Sequence, residues 1–221
     1  MATITARIAE ARERISAACA RSGRSPGDVT IVAVTKGFSP DAVREAVAAG
    51  IRDIGENRVQ EAEGKRAALA DLPGDVRWHM IGHLQTNKVQ TALTLFDTIQ
   101  SVDSLHLAVA VSRRAPALVS AFLEVNVAGE ASKAGFSLAE LPNAYETIAR
   151  LPGLELLGLM TVASIAASPE EARPVFRTLA EQARQRGLKE LSMGMSDDYE
   201  VAVEEGATHV RLGRALFGER S

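Results

Sequence analysis

The sequence contains little of what secreted, membrane-bound or nucleic-acid-binding proteins need. Among 221 residues there is one cysteine, Cys19, so no disulfide can form within the chain and a reducing compartment is indicated. Aromatic residues make up 4% and the formal net charge is −3, which provides neither stacking platforms nor a basic surface for nucleic acids. The N-terminal segment is charged throughout and lacks the apolar stretch of a signal peptide. We therefore expect a cytoplasmic protein that binds neither nucleic acids nor membranes.

Common catalytic and metal-binding signatures are also missing. No Gly-x-Gly-x-x-Gly follows the first apolar run, and neither a Walker loop nor a nucleophilic-serine elbow occurs. His79 and His83 are four residues apart, but the surrounding pattern predicts a strand end and a turn, not the helix on which this spacing binds zinc. These absences argue against dinucleotide binding and predict no metal site.

What the sequence does contain is a regular alternation of short β-branched runs and helical stretches. The runs typical of buried strands cover residues 29–35, 53–55, 76–81, 98–102, 118–127, 154–162, 190–193 and 209–212. Eight such strands with seven intervening helices, preceded by one further N-terminal helix, predict an α/β fold, a parallel sheet closed as a (β/α)8 TIM barrel. With no linker or break in composition, residues 1–221 are predicted to form a single domain.

Serines mark the predicted starts of several helices. Ser39 and Ser168 are each followed by proline, the pattern of an N-cap with proline at the first helical position. Ser196 precedes Asp197 and Asp198, whose carboxylates favour a helix N-terminus. The sequence therefore predicts that Ser196 caps the helix after the seventh strand.

The same region is a candidate phosphate site. In barrels of this type the chemistry lies where strands end, and the loops after the seventh and eighth strands often hold a phosphate through backbone N–H groups and a helix N-terminus. Here these loops supply Ser192, Ser196, Gly213 and Arg214. Taken alone, Ser196 is better explained as a plain N-cap, and the two aspartates after it would compete with a phosphate for the helix dipole.

A lysine at the end of the first strand changes this balance. Barrel closure places that strand beside the eighth, so Lys36 would border the candidate phosphate site. Arg211 is predicted to face the barrel interior close to this lysine. Burial and a neighbouring cation both lower the pKa of a lysine, which frees the neutral amine that a Schiff base needs. Lys36 is either a solvated strand end or this reactive amine, and its expected neighbours favour the amine.

Several motifs, taken together, resemble a known family. They are Ala-Val-Thr-Lys (33–36), Gly-Glu-Asn-Arg-Val-Gln-Glu (55–61), Trp-His-Met-Ile-Gly-His-Leu-Gln-Thr-Asn-Lys (78–88), Gly-Leu-Met-Thr (158–161), Leu-Ser-Met-Gly-Met-Ser-Asp-Asp (191–198) and Val-Arg-Leu-Gly-Arg-Ala-Leu-Phe-Gly (210–218). Their order and content resemble the pyridoxal phosphate homeostasis protein family, which is similar to the N-terminal barrel of alanine racemase, the fold-type III architecture. The resemblance covers nearly the whole chain.

The resemblance implies a pyridoxal 5′-phosphate (PLP) site. It implies that Lys36 carries the cofactor as an aldimine and that Arg211 faces the pyridine nitrogen. The other implied contacts are Ser192 or Ser196 and the backbone of Gly213 and Arg214 at the phosphate, with Asn57 and His79 beside the cofactor. At position 214 the family often has serine or threonine where this chain has arginine, which removes a hydroxyl from the phosphate site.

Three functions remain open at this point. The first is a PLP carrier, a monomer without a catalytic residue, that serves vitamin B6 homeostasis and passes PLP to PLP-dependent apo-enzymes. The second is a fold-type III amino-acid racemase, which would need a second acid/base group opposite Lys36. Racemases place a tyrosine there from a β-rich second domain, and we expect no such domain because the chain ends soon after the eighth strand. The third, a sugar-phosphate enzyme, would need a paired carboxylate base that the sequence does not show.

Overall fold

Eight parallel strands close into a barrel in chain order. The computed structural model describes residues 2–130, 132–163 and 168–219. Its strands are β1 (Thr30–Val34), β2 (Asp53–Glu56), β3 (Arg77–Met80), β4 (Thr98–Val102), β5 (Val119–Glu124), β6 (Leu154–Met160), β7 (Glu190–Met195) and β8 (His209–Leu212). Strand β1 pairs with both β2 and β8, which closes the sheet. The predicted barrel is confirmed, with strand ends shifted by up to three residues.

Helices cover the outside of this barrel. Those in the described part of the chain are α1 (Ile4–Ser22), α2 (Pro40–Ala48), α3 (Val59–Ala68), α4 (Val89–Leu95), α5 (Leu105–Arg114), α6 (Leu141–Ile148), α7 (Arg173–Gln185), α8 (Tyr199–Glu204) and α9 (Arg214–Phe217). Helix α1 is the predicted extra N-terminal helix, and its buried face packs mainly against α8 and α9. In the ranges that the structure describes, no helix is both long and apolar enough to cross a membrane.

One helix prediction was wrong and one helix was missed. Helix α8 begins at Tyr199 with Asp198 as its N-cap, so Ser196 does not cap it. The reason is that the backbone first makes a turn, in which the Asp198 carboxylate accepts the Met195 N–H at 2.6 Å. The short helix α9, directly after β8, was not predicted because four residues are too few to show helical periodicity.

The main apolar core lies between the barrel and its helices, whereas the barrel interior contains both polar and apolar buried side chains. The outward-facing strand residues pack under the helices in one continuous cluster. Inside the barrel, Gln100 on β4 and Ser192 on β7 are fully buried and hydrogen-bonded to each other. Because β4 and β7 are not neighbours in the sheet, this hydrogen bond crosses the barrel.

Candidate functional site

Lys36 and the end of β8 lie at the same sector of the barrel mouth. The register pairs Val32 with Arg211, and a side chain at Gly213 would sit 3.6 Å from the Cβ of Val34. Lys36 follows Val34 by two residues, beyond the end of β1, and is partly exposed. The barrel therefore brings Lys36, Arg211 and Gly213 into one region, as the sequence predicted.

Ser196 and the start of α9 form the adjoining part of the mouth. The Ser196 hydroxyl accepts the Ala215 N–H at 3.1 Å, which ties the loop after β7 to the first turn of α9. Gly213 is the N-cap of α9 and provides no side-chain cap. A serine hydroxyl beside a helix N-terminus is an arrangement that suits a phosphate. The helix is short, so its dipole is weak and the hydroxyl and N–H groups matter more.

Ser196 and the first turn of α9 form what we call the Ser196–α9 cradle. The charged side chains around this cradle already have partners. The guanidinium of Arg214 binds the carboxylate of Asp197 and lies 3.7 Å from that of Glu219, with about half of its side chain exposed. The Asp198 carboxylate accepts the Met195 N–H, and burial raises the pKa of Asp198. Asp197 and Asp198 therefore both have partners within the protein. The guanidinium of Arg214 is paired as well, so its backbone N–H is better placed than its side chain to contact a phosphate in the cradle.

Arg211 is a buried cation in the barrel interior. Its Nη1 donates to the Ser192 hydroxyl at 2.6 Å and its Nη2 to the Thr161 carbonyl at 2.7 Å. Burial lowers the pKa of Arg211 to about 10, an effect that the carboxyl groups of Glu124 and Asp198 oppose. At neutral pH the guanidinium therefore remains protonated, and it acts only as a hydrogen-bond donor.

A chain of hydrogen bonds continues from Arg211 across the barrel. The Ser192 hydroxyl donates to Oε1 of Gln100 at 2.6 Å, and Nε2 of Gln100 lies 3.1 Å from Nδ1 of His79. Nε2 of His79 is 2.9 Å from Oδ1 of Asp53. Since a carboxylate only accepts, Nε2 of His79 carries the proton and Nδ1 accepts from Gln100. Every bond in this chain therefore has one direction, from the cation Arg211 to the carboxylate Asp53.

The carboxylate end of this chain is held in its charged form. Burial acts to raise the pKa of Asp53, but the hydrogen bonds that its carboxylate accepts from His79 and Arg77, together with the charge of Arg77, outweigh burial and lower that pKa. Arg77 lies 2.9 Å from Asp53, at the opposite end of the strands from Lys36. Asp53 thus faces the exposed cation Arg77 on one side and the ring N–H of His79 on the other.

Two predicted cofactor contacts therefore lie inside the barrel, in this hydrogen-bonded chain. The Ser192 hydroxyl and both ring nitrogens of His79 are occupied by other protein groups. Sequence reasoning missed Gln100, which joins them. The signal was present, because a glutamine in the middle of a β-branched run is unusual for a strand buried on both faces.

Asn57 follows the end of β2, which flanks β1 on the side away from β8. A side chain at Gly82 would come within 2.6 Å of the Asn57 carbonyl oxygen, so only glycine allows this close approach. The buried Oδ1 of Asn57 has no hydrogen-bond partner among the described residues. It borders a cavity of about 380 Å³, which Arg58 and Lys88 also line. Asn57 therefore follows the strand that neighbours β1, the strand before Lys36.

No group of three or more histidine, cysteine or acidic side chains that could hold a metal ion occurs within residues 2–130, 132–163 and 168–219. His83, one member of the i, i+4 pair, lies 2.6 Å from the carboxylate of Asp103 and is largely exposed. His79 is turned into the barrel interior. The side chains of His79 and His83 therefore lie in different environments.

The architecture is that of the fold-type III barrels. The solved alanine racemase from Corynebacterium glutamicum superposes with a TM-score of 0.70 at 17% identity, covering 94% of this chain and 60% of that chain, which shows a shared fold. The sequence profile described as "Alanine racemase, N-terminal domain" matches residues 8–221.

Closer similarity is found with smaller proteins. The pyridoxal phosphate homeostasis protein of Pseudomonas aeruginosa is 46% identical over 225 residues, covering 100% of this chain and 97% of that protein. The PipY structure from Synechococcus elongatus with PLP bound is 40% identical, covers 94% of this chain and 99% of that chain, and has a TM-score of 0.82. The chain belongs to the alanine racemase N-terminal domain family and, within it, to the pyridoxal phosphate homeostasis proteins.

Proposed function

We propose that this protein binds PLP covalently through Lys36 and serves intracellular PLP homeostasis as a carrier, without catalysing a reaction of its own. The observation that carries the proposal is the meeting of Lys36, the Ser196–α9 cradle and Arg211 at one sector of the barrel mouth. The PLP-bound structure of PipY, at 40% identity, supports the choice of ligand.

The residues present fit the three functional groups of PLP. Lys36 would hold the aldehyde group through Nζ, with a C=N bond replacing the C=O bond and one water molecule released. The Ser196 hydroxyl and the backbone N–H groups at Gly213 and Arg214 suit the phosphate. Arg211 suits the pyridine nitrogen, with Asn57 at the edge of the same mouth.

Arg211 supports a carrier more than an enzyme. Bound PLP supplies an electron sink for carbanions, and this sink works best when the ring nitrogen is protonated. Arg211 keeps its own proton at neutral pH, so it would donate a hydrogen bond to the ring nitrogen and would not protonate it. The hydrogen-bonded chain to Asp53 holds the guanidinium in this role.

The positions of the tyrosines point the same way. The sequence has two tyrosines, and a racemase needs an acid/base group on each face of its substrate. The hydroxyl of Tyr145 donates to the Arg186 carbonyl, on the outer helices. Tyr199 is buried on α8 with Arg14 of α1 over its ring. Neither tyrosine side chain is directed at Lys36 from the inside of the barrel.

We further propose that the protein is a single-domain cytoplasmic monomer, and that PLP-dependent apo-enzymes receive the cofactor from it. The monomer is checked by light scattering of the PLP-loaded protein, where a dimer mass would contradict it. Delivery is checked by mixing loaded protein with an apo-enzyme and measuring enzyme activation against the same concentration of free PLP.

The attachment site is tested by borohydride reduction and peptide mass spectrometry. We expect a pyridoxyl mass on the Lys36 peptide, and no such mass on that peptide in Lys36→Ala. The matched control is Lys189→Ala, an exposed lysine just before β7, at the other end of the barrel. A label found only on another lysine would contradict the proposal.

A further inference from the structure

The peptide groups on both sides of Lys36 are held by one helix. The carbonyl of Thr35, which belongs to the peptide group before Lys36, accepts from Nζ of Lys65 at 2.5 Å. The N–H of Gly37, which belongs to the peptide group after Lys36, donates to Oε1 of Glu61 at 2.5 Å. Glu61 and Lys65 are four residues apart on α3, so they lie on the same face of that helix.

These two side chains belong to a buried ionic cluster. Nζ of Lys65 lies 2.8 Å from Glu61 and 2.6 Å from Glu56 at the end of β2. The Thr35 hydroxyl also donates to Glu56, at 2.5 Å. Glu56 is fully buried and Lys65 has 7% of its side chain exposed. The cluster therefore connects the end of β1, the end of β2 and α3 directly beneath the segment that carries Lys36.

Fold stability alone does not account for this cluster. The desolvation of a buried ion pair costs about as much as the pair's attraction returns, so such pairs contribute little net stability. Oε2 of Glu56 has no hydrogen-bond partner among the described residues, which adds to that cost. What the cluster achieves is local: hydrogen bonds from α3 restrict the backbone on each side of one residue.

Gly37 makes the segment dependent on such restraint. Its φ is +75°, which glycine adopts without strain. Because glycine has no side chain, its backbone can also adopt many other conformations. The bond from Gly37 N–H to Glu61 selects one of them. The Cα of Lys36 is thereby held between two anchored peptide groups at the end of β1.

We propose that Glu61 and Lys65 are positioning residues that fix Lys36 for bond formation with PLP, with Glu56 holding Lys65 in place. The inference rests on the proposed attachment of PLP to Lys36. It assigns to α3 a role in the site without any contact between α3's Glu61–Lys65 pair and the cofactor.

The main test uses Glu61→Ala, because Glu61 is only partly buried and its loss leaves the Lys65–Glu56 pair intact. The matched control is Glu63→Ala, an exposed glutamate on the same helix. In cofactor-free protein we expect faster amide exchange at Gly37 in Glu61→Ala alone. In loaded protein we expect PLP release to be about tenfold faster, with Lys36 still labelled by borohydride.

Conservative replacement separates positioning from charge. Glu61→Gln keeps an oxygen acceptor for the Gly37 N–H, so it should restore most of the Gly37 protection and of PLP retention. Lys65→Met removes the hydrogen bond to the Thr35 carbonyl, on the peptide group before Lys36, and should give the same increase in PLP release. Lys189→Met is its control. Because Lys65→Met leaves Glu56 buried without its cation, Glu56→Gln/Lys65→Met is the variant to use if the single variant does not fold.

The outcomes distinguish this inference from the proposed function. Wild-type protein labelled only at another lysine would refute attachment at Lys36, whatever the Gly37 exchange shows. Labelling at Lys36 with unchanged Gly37 exchange and PLP release in Glu61→Ala would overturn the positioning role. Loss of the fold in Glu61→Ala would also overturn it, since the cluster would then be a stability element.

Discussion

The hydroxyl oxygen of Ser192 lies 2.6 Å from Nη1 of Arg211, inside the barrel. The same hydroxyl donates its proton to Gln100, so Ser192 accepts from a cation and passes its own donor onward. The rest of the chain, through His79 to Asp53, follows that direction. Buried groups of the barrel interior thus set the orientation of Arg211.

Ser192→Ala should destabilise the protein before any effect on the cofactor is considered. It leaves Nη1 of Arg211, a buried charged donor, without this acceptor, and hydrogen bonds to charged groups contribute about 1.5–3 kcal/mol. We expect a fall of this size in the free energy of unfolding of cofactor-free protein, measured by urea denaturation. Ser120→Ala, whose hydroxyl bonds at the exposed end of β5, is the control. Equal values for the two variants would show that the Ser192–Arg211 bond adds nothing.

Arg211→Glu should change the protonation of the bound ring. Burial would raise the pKa of the new carboxyl group, and a carboxyl can share its proton with the pyridine nitrogen as a guanidinium cannot. We expect the visible spectrum of loaded protein to shift towards species with a protonated ring, together with faster PLP loss. An unchanged spectrum and unchanged retention would mean that Arg211 serves only the interior hydrogen bonds.

Ser196→Ala and Arg214→Ala should differ in their effect on PLP affinity. The Ser196 hydroxyl is the cradle's side-chain contact, and a hydrogen bond to a charged phosphate of about 1.5–3 kcal/mol corresponds to roughly 10- to 100-fold in Kd. Arg214→Ala retains the backbone N–H and removes a guanidinium already paired with Asp197, so its Kd should rise only about threefold or less. Titration of cofactor-free protein with PLP measures both, and the reverse order would place the phosphate near the Arg214 side chain.

The stability of the protein should fall in mild acid because of His209. Burial lowers the pKa of His209 to about 4, with the charges of Arg77 and Arg211 acting in the same direction. The unfolded chain, with a histidine pKa of about 6.5, therefore binds the extra proton between about pH 6.5 and 4, and the free energy of unfolding decreases as the pH falls through that window. At neutral pH the imidazole is uncharged, so its 3.5 Å approach to Glu190 is not an ion pair.

His209→Gln should remove this component. A shift of about 2.5 pKa units corresponds to roughly 3 kcal/mol at the acid end of the window. Urea denaturation at pH 7 and pH 4.5 should show a smaller loss of stability in His209→Gln than in wild type. The control, His106→Gln, replaces an exposed histidine on α5 and should keep the wild-type loss.

The loaded protein should not racemise amino acids. A positioned acid/base group contributes on the order of a hundred- to ten-thousand-fold to proton transfer, and Lys36 has no tyrosine opposite it within the described part of the chain. Chiral chromatography of alanine after prolonged incubation should show no turnover above that of free PLP. Turnover well above free PLP that disappears in Lys36→Ala would establish a racemase in place of a carrier.

The sequence by itself determined the barrel and which candidate site residues lie next to each other. Short β-branched runs that alternate with helical stretches define eight βα units. Eight parallel strands close into a barrel, and this closure puts Lys36 next to Arg211 and Gly213. These are consequences of chain order and strand direction, so they required no knowledge of individual side-chain contacts. The motifs added the family and, through it, the proposal that the ligand is PLP.

Only the tertiary structure decided which polar side chains face the mouth and which face inward. Ser192 and Ser196 are four residues apart in one motif, yet Ser192 bonds across the barrel and Ser196 bonds α9. The reason is that strand β7 ends between them, at Met195, where the chain leaves the alternation of the strand for a turn. The role of the Glu61–Lys65 pair beside Lys36 was likewise not evident from the sequence, because a glutamate and a lysine four residues apart on a helix ordinarily form a solvated surface pair. Only the packing of α3 against the end of β1 buries this pair.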